Sequence, residues 1–455
     1  MSRAHPHKWY DELLAGDLLA EYDLALWELD PDRQQAFMHG KAALTPSEAA
    51  KHITSEQRKH PMAIGRPFEP TGPPISIYHT VFSKFKTLIE APNAAPPEDV
   101  VTAFHLIQAA AKVYLNENAR LRSIRPLLET LLKRQMPRLP AGYSFDPDDV
   151  ALYDAPVGSV PLLVMEAKNE IGAGGSDPDI QGAFSFRKMR VEEDSPISEV
   201  PNVCCCPSFV LPVAGPHITI HGAIFADQFI VQPLTETLGL ANFPNPFERS
   251  QYIAKIMVAL RHCLEALEKF YSGLTPAHIP QRANFSPIFR EYYVRDGKKV
   301  ALTYTGPNLL PDRAGQAMFN ARAKRLDDEE GISVKVKFTP QYREAAHALL
   351  AARDLAPRLH HCEKLKDGWT VVVMDSVDGR DMESAKQSSL PESALEDIEN
   401  AIHALHGAGW VFGDLRPPNI MLCERDIAGS GTRKGAMLVD FDWAGMKTSN
   451  GILRH

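Results

Sequence analysis

A multidomain protein of mixed α/β and α+β class is what the sequence predicts, on three observations. The chain has 455 residues, too many for one ordinary hydrophobic core. Segments with helical apolar spacing alternate with short strand-like runs in two successive blocks, the pattern of two α/β units in tandem. Between the blocks lies TPAHIPQRANFSP, which contains prolines, lacks apolar periodicity and has the composition of a linker.

Taken in order, short helical patterns alternate with proline clusters such as RPFEPTGPP up to about Pro92, so residues 1–93 are expected to form a helical N-terminal extension. From Val100 to Arg134 the apolar spacing of VVTAFHLIQAAAKVYL and ARLRSIRPLLETLLK is helical. Strand-like runs follow at DVALYD, PLLVMEA, HITIHGAIF and QFIVQPL. The long amphipathic pattern FERSQYIAKIMVALRHCLEALEKFY closes a middle domain of residues 94–274. In residues 275–455 a β-rich block from REYYVRDGKKVALTYTG to ISVKVKF precedes the helix YREAAHALLAA. The strand WTVVVMD and the helix SALEDIENAIHALHGAG come next.

Hydrophobic residues make up 44% and charged residues 23%, values of a globular chain rather than a disordered or fibrous one. A net charge of −8 provides no general attraction for nucleic acid or acidic membranes, so any anion site has to be local. The six cysteines, at 204, 205, 206, 263, 362 and 423, include no CxxC pair, which argues against a zinc site or a disulfide framework and for a reducing compartment. The start, MSRAHPHKWYDELLAGDL, lacks the basic-then-apolar form of a secretory signal, and an intracellular location, cytoplasm or nucleus, is expected. The most apolar stretch, VCCCPSFVLPVAGPHITIHGAIFADQFIVQPL, is broken by prolines, histidines and an aspartate; it reads as buried strands, and no membrane partner is expected.

Near the C-terminus the sequence reads VFGDLRPPNIMLCERDIAGSGTRKGAMLVDFDWAG. Phosphoryl transfer uses a carboxylate to orient the incoming hydroxyl, groups that hold Mg²⁺ on the nucleotide phosphates, and a lysine on those phosphates. Asp414 and Asn419 have the D-x4-N spacing of such a catalytic loop, and Asp440 leaves the strand AMLVD before Phe441. Lys337 sits late in ISVKVKF, Glu344 opens the next helix as its natural ion-pair partner, and Asp375 ends the hinge-like strand VVVMD. Residues from about 285 to 445 resemble the protein-kinase-like superfamily, and GDLRPPN with DFD is closest to its aminoglycoside-phosphotransferase and choline-kinase branch. The resemblance implies ATP and Mg²⁺ as cofactors, with Asp414 catalytic, Lys337, Glu344 and Asp375 binding ATP, and Asn419 and Asp440 binding metal. Phe412 stands where that branch has histidine, Gly413 where ordinary kinases have arginine, and GPNLLPDRAG is not a GxGxxG loop. Beyond Asp440 the sequence runs from 441 to 455, where a kinase places roughly 100 residues. An abbreviated kinase-like fold is therefore expected, with an N-lobe at about 285–375 and a truncated C-lobe at 376–455 whose exposed apolar surface a protein partner would cover.

The middle block carries E-x-K at the end of PLLVMEAK. Glu166 and Lys168 lie two apart and share one face of a strand. A turn from Pro156 to Ser159 sets Asp149 opposite Glu166, and a register one residue off substitutes Asp148. Two carboxylates so placed can hold Mg²⁺ against a phosphodiester while the lysine steadies developing negative charge. This resembles the PD-(D/E)xK restriction-endonuclease-like superfamily, which implies an α/β core, Asp149 and Glu166 as metal ligands, Lys168 as a catalytic residue and DNA as substrate. Glu117, on the preceding helix, matches an auxiliary metal ligand, and Gln181 a glutamine seen in several nuclease branches. Arg187, Lys188 and Arg190 are candidates for phosphate contacts. His217, His221, His262 and His403 share no spacing, and Cys204 to Cys206 read as buried packing.

From about residue 75 to 445 the order of the two motifs is similar to nuclease-plus-kinase proteins of fungi grouped with Crinkler-type effectors. The expected function is an intracellular two-module protein with a metal-dependent nuclease-like domain and a truncated kinase-like domain. The alternatives are a phosphotransferase with a non-catalytic middle domain and a pseudoenzyme scaffold.

Overall fold

The computed structural model describes residues 31–64, 72–139, 147–191, 204–241, 243–274, 287, 292–306, 308–310, 315–325, 330–365, 368–386, 390–427, 431–447 and 453–454. The chain divides into two compact units, Met1–Phe289 and Arg290–His455. Apart from Pro287, the linker expected at 275–287 lies outside the described residues. Both units combine helices with sheets, the mixed multidomain class the sequence implies. Among the described residues no helix is long and apolar enough to cross a membrane.

In the first unit the described helices are α1 (Pro31–Ala42), α2 (Pro46–Lys51), α3 (Ile53–Lys59), α4 (Thr80–Glu90), α5 (Pro97–Ala110) and α6 (Glu117–Leu132). The side chain of Asn116 starts α6 by accepting from the Ala119 N–H at 2.9 Å. A hairpin of β1 (Asp149–Ala155) and β2 (Gly158–Lys168) follows, then α7 (Pro178–Val191) and β3 (Ser208–Ala214), which pairs parallel to β2. The sheet continues through β4 (His217–Ile218), β5 (His221–Phe225), β6 (Phe229–Pro233) and β7 (Leu238–Gly239), and α8 (Pro246–Ser272) ends the described part.

Helix α7 is buried along nearly its whole length because it packs on β2 and β3 and is covered by α1 and α2. Gly182 permits this approach, since a Cβ there would stand 2.6 Å from a Val210 methyl group. A buried ion pair, Arg187 to Glu56 at 2.7 Å, adds a further tie, and Arg187 also donates to the His60 carbonyl at 2.9 Å. The described N-terminal helices are thus built into the first unit, and the boundary expected after residue 93 does not separate them from it.

The second unit opens with β8 (Tyr292–Arg295), β9 (Lys298–Tyr304), β10 (Ala317–Arg325) and β11 (Ile332–Thr339), followed by α9 (Glu344–Ala351), β12 (Leu359–Lys364) and β13 (Thr370–Asp375). These strands form one sheet in the order β12-β13-β11-β10-β9-β8, antiparallel at every pairing. Alternation sets its inner face: Val300, Leu302 and Tyr304 are buried on β9, and Ala317, Phe319, Ala321 and Ala323 on β10. After β14 (Gly379–Asp381) come α10 (Glu392–Gly407), β15 (Trp410–Val411), β16 (Ile420–Ile427), β17 (Gly431–Leu438), β18 (Gly445–Lys447) and β19 (Leu453–Arg454). One core cluster joins Ala346 and Leu350 of α9, Val372 of β13, Leu405 of α10 and Phe441.

Candidate functional site

A cleft of about 600 Å³ in the second unit is lined by Lys337, Met374, Asp375, Asn419 and Asp440, among others. Lys337 is buried on β11, and its Nζ lies 2.8 Å from Asp440 Oδ1 and 2.8 Å from Asp442 Oδ1. Burial would raise the Asp440 carboxyl, but the Lys337 ammonium outweighs it and the net shift is downward. Asp442, for which burial is the larger effect, is pushed up to about 6 in spite of the same lysine. Its Oδ2 also accepts from Thr339 Oγ1 at 2.7 Å and Gln316 Nε2 at 2.7 Å.

Asn419 donates its amide to Asp414, at 2.8 Å from the carboxylate and 2.9 Å from the backbone carbonyl. That leaves the amide oxygen as the acceptor Asn419 can offer a ligand. Arg416 Nε contacts the same Asp414 carboxylate at 3.0 Å. Gly413 holds φ at +82°, and a Cβ there would be 2.2 Å from the Trp443 carbonyl, so the loop carrying Asp414 and the segment after Asp440 touch through this glycine. Behind Asp440, Phe441 stacks on His347 of α9 at 4.7 Å and meets Phe412 edge-on at 5.4 Å. Phe412 therefore fills an apolar column in which a second polar ring would lack a partner.

One expectation for this cleft changes. Glu344 opens α9, but the salt bridges of Lys337 go to Asp440 and Asp442, carboxylates that leave strand β17 on the cleft side. The charge of Glu344 acts instead on Cys362, a thiol that burial already pushes up to about 12. Asp375 lines the cleft at the end of β13, with Oδ1 2.5 Å from His360 Nε2. Asp442 was legible in the DFD stretch and was passed over as a site residue. Asp381 also lines the cleft, its carboxylate accepting from the Ser384 N–H at 2.8 Å and Oγ at 2.5 Å.

In the first unit the hairpin turns at Pro156 and Val157, and a bulge between Ala151 and Leu152 shifts the pairing further along. Asp149 then lies opposite Met165, not Glu166, and Asp154 opposite Ser159. Partners in register share a face, so Asp149 is turned away from Glu166. It meets Arg125 of α6, with Nε 2.7 Å from Oδ2, and burial outweighs that arginine to push the Asp149 carboxyl up to about 7. The expected pairing of Asp149 with Glu166 is corrected accordingly: Asp148 occupies that side, its Oδ2 accepting from the Ala167 N–H at 2.7 Å.

Glu166 is fully buried, and its carboxyl is pushed up to about 8, first by burial and then by the negative charge of Asp148. Glu117 is raised by burial and by the same Asp148, while Lys168, with Nζ 3.7 Å from Glu117 Oε2, opposes the shift. Helix α7 supplies the groups that hold Glu166: Gln181 Nε2 donates to Oε2 at 2.7 Å, and Ser185 Oγ donates to Oε1. Ser185 was not anticipated, although it lies one helical turn after Gln181 and so on the same face. Arg187 and Arg190 are buried by the packing of α7, Arg190 donating to Ser208 Oγ at 3.0 Å, and cannot make the phosphate contacts considered for them. Lys188 Nζ reaches the Lys41 carbonyl at 3.4 Å. Cys204, Cys205 and Cys206 are buried free thiols.

Among the described residues no three His, Cys, Asp or Glu side chains converge as a metal cage. The site around Glu166 offers two carboxylates, and a cation there would complete its shell with water and phosphate oxygens. The chemistry of the set fits a cation, because Asp148 raises the protonation of both Glu117 and Glu166 even with Lys168 alongside and Arg138 3.8 Å from Asp148.

No family model matches the chain, and no curated protein matches it. Among solved structures it is similar to the kinase PK-1 of the Cydia pomonella granulovirus, with 13% identity and a TM-score of 0.24, over 32% of this chain and 55% of that one. The match spans about half the length of the viral kinase, and at that score the functional reading has to stand on side-chain geometry.

Proposed function

We propose that the second unit is a protein-kinase-like domain that binds ATP with Mg²⁺, and that the first unit is a metal-dependent nuclease of the restriction-endonuclease-like kind. The observation that carries the first half is the ion pair of Lys337 with Asp440, residues 103 apart in sequence, beside Asn419 in one cleft. Lys337 would present its ammonium to nucleotide phosphates, and Met374 and Met318 would bound the base. Asn419 and Asp440 would hold Mg²⁺, which when bound neutralises phosphate charge. Phosphotransfer would in addition require Asp414, whose carboxylate is engaged by Asn419 and Arg416. Leu415, Trp443 and Met446 are about half exposed and form the apolar surface that a protein partner would cover.

Thermal unfolding with ATP and Mg²⁺ tests this reading. A ligand at 100 times its Kd adds about 2.7 kcal/mol to the state it binds. The wild type should show the shift and Asp440→Asn should lose it; no shift in the wild type, or an equal shift in the variant, refutes nucleotide binding at this cleft.

The second half is supported by the carboxyl cluster of Asp148 and Glu166 with Lys168 alongside. Asp148 and Glu166 would hold the divalent cation, which when bound polarises a phosphodiester; Lys168 would balance charge on the attacked phosphate. Metal-dependent DNA nicking by the wild type, lost in Glu166→Gln, is the matching test. Equal nicking by the variant would assign the activity to a contaminant.

A further inference from the structure

Beside the Glu166 cluster, a separate cleft of about 470 Å³ opens between the loop at 171–179 and strands β3 and β4. Its size falls in the roughly 300–1,000 Å³ range of small-molecule sites. Resting on the nuclease reading of this unit, we propose that the cleft receives one nucleobase of the substrate strand, and that it prefers bases bearing an exocyclic amino group.

The lining is apolar on its walls and acceptor-rich at its edge. Ile171, Pro178 and Pro212 form walls against which the face of a planar ring can lie, and Asp179, Thr219 and Ser176 supply the polar edge. No lysine or arginine lines it, so no side-chain cation of the lining would pair with a phosphate. The Asp179 carboxylate is an acceptor, matched to the exocyclic amino group of cytosine or adenine and opposed to the O4 carbonyl that uracil and thymine present at the same edge position. His221 Nε2, buried and without a hydrogen-bond partner, stands 3.5 Å from Asp179 Oδ1.

Position ties the cleft to the cluster. Gly172 and Gly175 line it, and between them a Cβ on Gly174 would lie 3.7 Å from Lys168 Cδ, so a thin glycine loop separates base site from lysine. Ile171, which lines the cleft, is 69% exposed, and two further exposed apolar side chains, Val113 at 89% and Leu115 at 98%, flank Tyr114. The turn bearing Val113 and Leu115 is tied to the start of the glycine loop, because Asn169 Nδ2 donates to the Tyr114 carbonyl at 2.8 Å. Exposed apolar side chains next to such a cleft can pack against the neighbouring base once a nucleotide has left the stack.

Calorimetric titration and saturation-transfer NMR of the full chain with cytidine, adenosine, uridine and thymidine test this. Cytidine and adenosine should bind at least about tenfold more tightly than uridine and thymidine, the worth of one hydrogen bond to a charged acceptor. Asp179→Asn should erase the preference, and Ile171→Ser, a change at an exposed position, should weaken all four alike. Binding of none of the nucleosides, or of uridine as tightly as cytidine, overturns the proposal. Glu166→Gln separates the two readings, because it should abolish nicking and leave nucleoside binding intact. Selective binding without nicking by the wild type would remove the nuclease and keep the base site; nicking without selectivity would remove the base site alone.

Discussion

Replacing Glu166 by glutamine should stabilise the first unit, by an amount that depends on pH. The carboxyl has an ordinary value of 4.5 and is pushed up to about 8 in the fold, chiefly by burial. The folded state therefore holds a proton that the unfolded chain releases, and stability falls as pH rises between those two values. Linkage puts the loss at about 1 kcal/mol at pH 5 and about 3 kcal/mol at pH 7. Glutamine avoids it and fits the site: its carbonyl can accept from Gln181 and its amide can donate to Ser185 Oγ, which is free to rotate. Tryptophan fluorescence is not specific to the first unit, since three of the five tryptophans, Trp369, Trp410 and Trp443, lie in the second. Hydrogen exchange of peptides covering Gly158–Lys168 and Pro178–Val191 reports it directly. At pH 7 the variant should exchange about 100-fold more slowly than the wild type, and at pH 5 only several-fold. A divalent cation should close the gap by stabilising the wild type alone, because binding expels the proton. A ratio that is the same at both pH values would refute the claim that Glu166 is held protonated by burial.

The remaining predictions address the other contacts. Asp148→Asn should abolish the cation response of the first unit, and Asp149→Asn should leave it intact, read by the same exchange experiment; the reverse would reinstate the register expected from the turn. Lys337→Met leaves Asp440 and Asp442 facing each other without a cation, a loss of about 3–5 kcal/mol for a broken buried pair, seen in the urea midpoint by tryptophan fluorescence. Because burial has pushed Asp442 up to about 6, it takes up a proton below that pH, and the deficit should shrink at pH 5 relative to pH 7.5. Gly413→Ala forces a Cβ to 2.2 Å from a carbonyl oxygen at a φ of +82°, and should lower the thermal midpoint and the ATP response together. An unchanged midpoint would show that the loop and the segment after Asp440 are not in contact.

What was legible in the sequence depended on how far each inference had to reach. Strands and helices could be placed because period-2 and period-3.6 patterns are local, as in Val300, Leu302 and Tyr304 on β9. The register of β1 against β2 could not, because one bulge between Ala151 and Leu152 exchanges the faces of Asp148 and Asp149 and leaves no mark on composition. The partner of Lys337 was missed for a related reason. Glu344 is near it in sequence, at the start of the next helix, whereas Asp440 and Asp442 arrive from a different strand pair. Burial of Arg187 and Arg190 was hidden as well, since it depends on helices from residues 31–59 closing over α7.

Both clusters place a buried carboxylate next to a lysine, and direct contact with the ammonium is one cause of their different protonation, although Asp442, also 2.8 Å from Lys337, is still pushed up to about 6 by burial. Lys337 touches Asp440 at 2.8 Å, a contact strong enough to outweigh burial and keep that carboxylate charged. Lys168 stands 3.7 Å from Glu117, and the groups that touch Glu166 itself, Gln181 and Ser185, are neutral. Neutral donors cannot replace a counter-charge, so burial wins and the Glu166 carboxyl is pushed up. The cleft of the second unit is in this sense preset for an anionic ligand that takes over Lys337. If the first unit binds the proposed cation, its affinity must rise with pH through about 8 as the proton competes less.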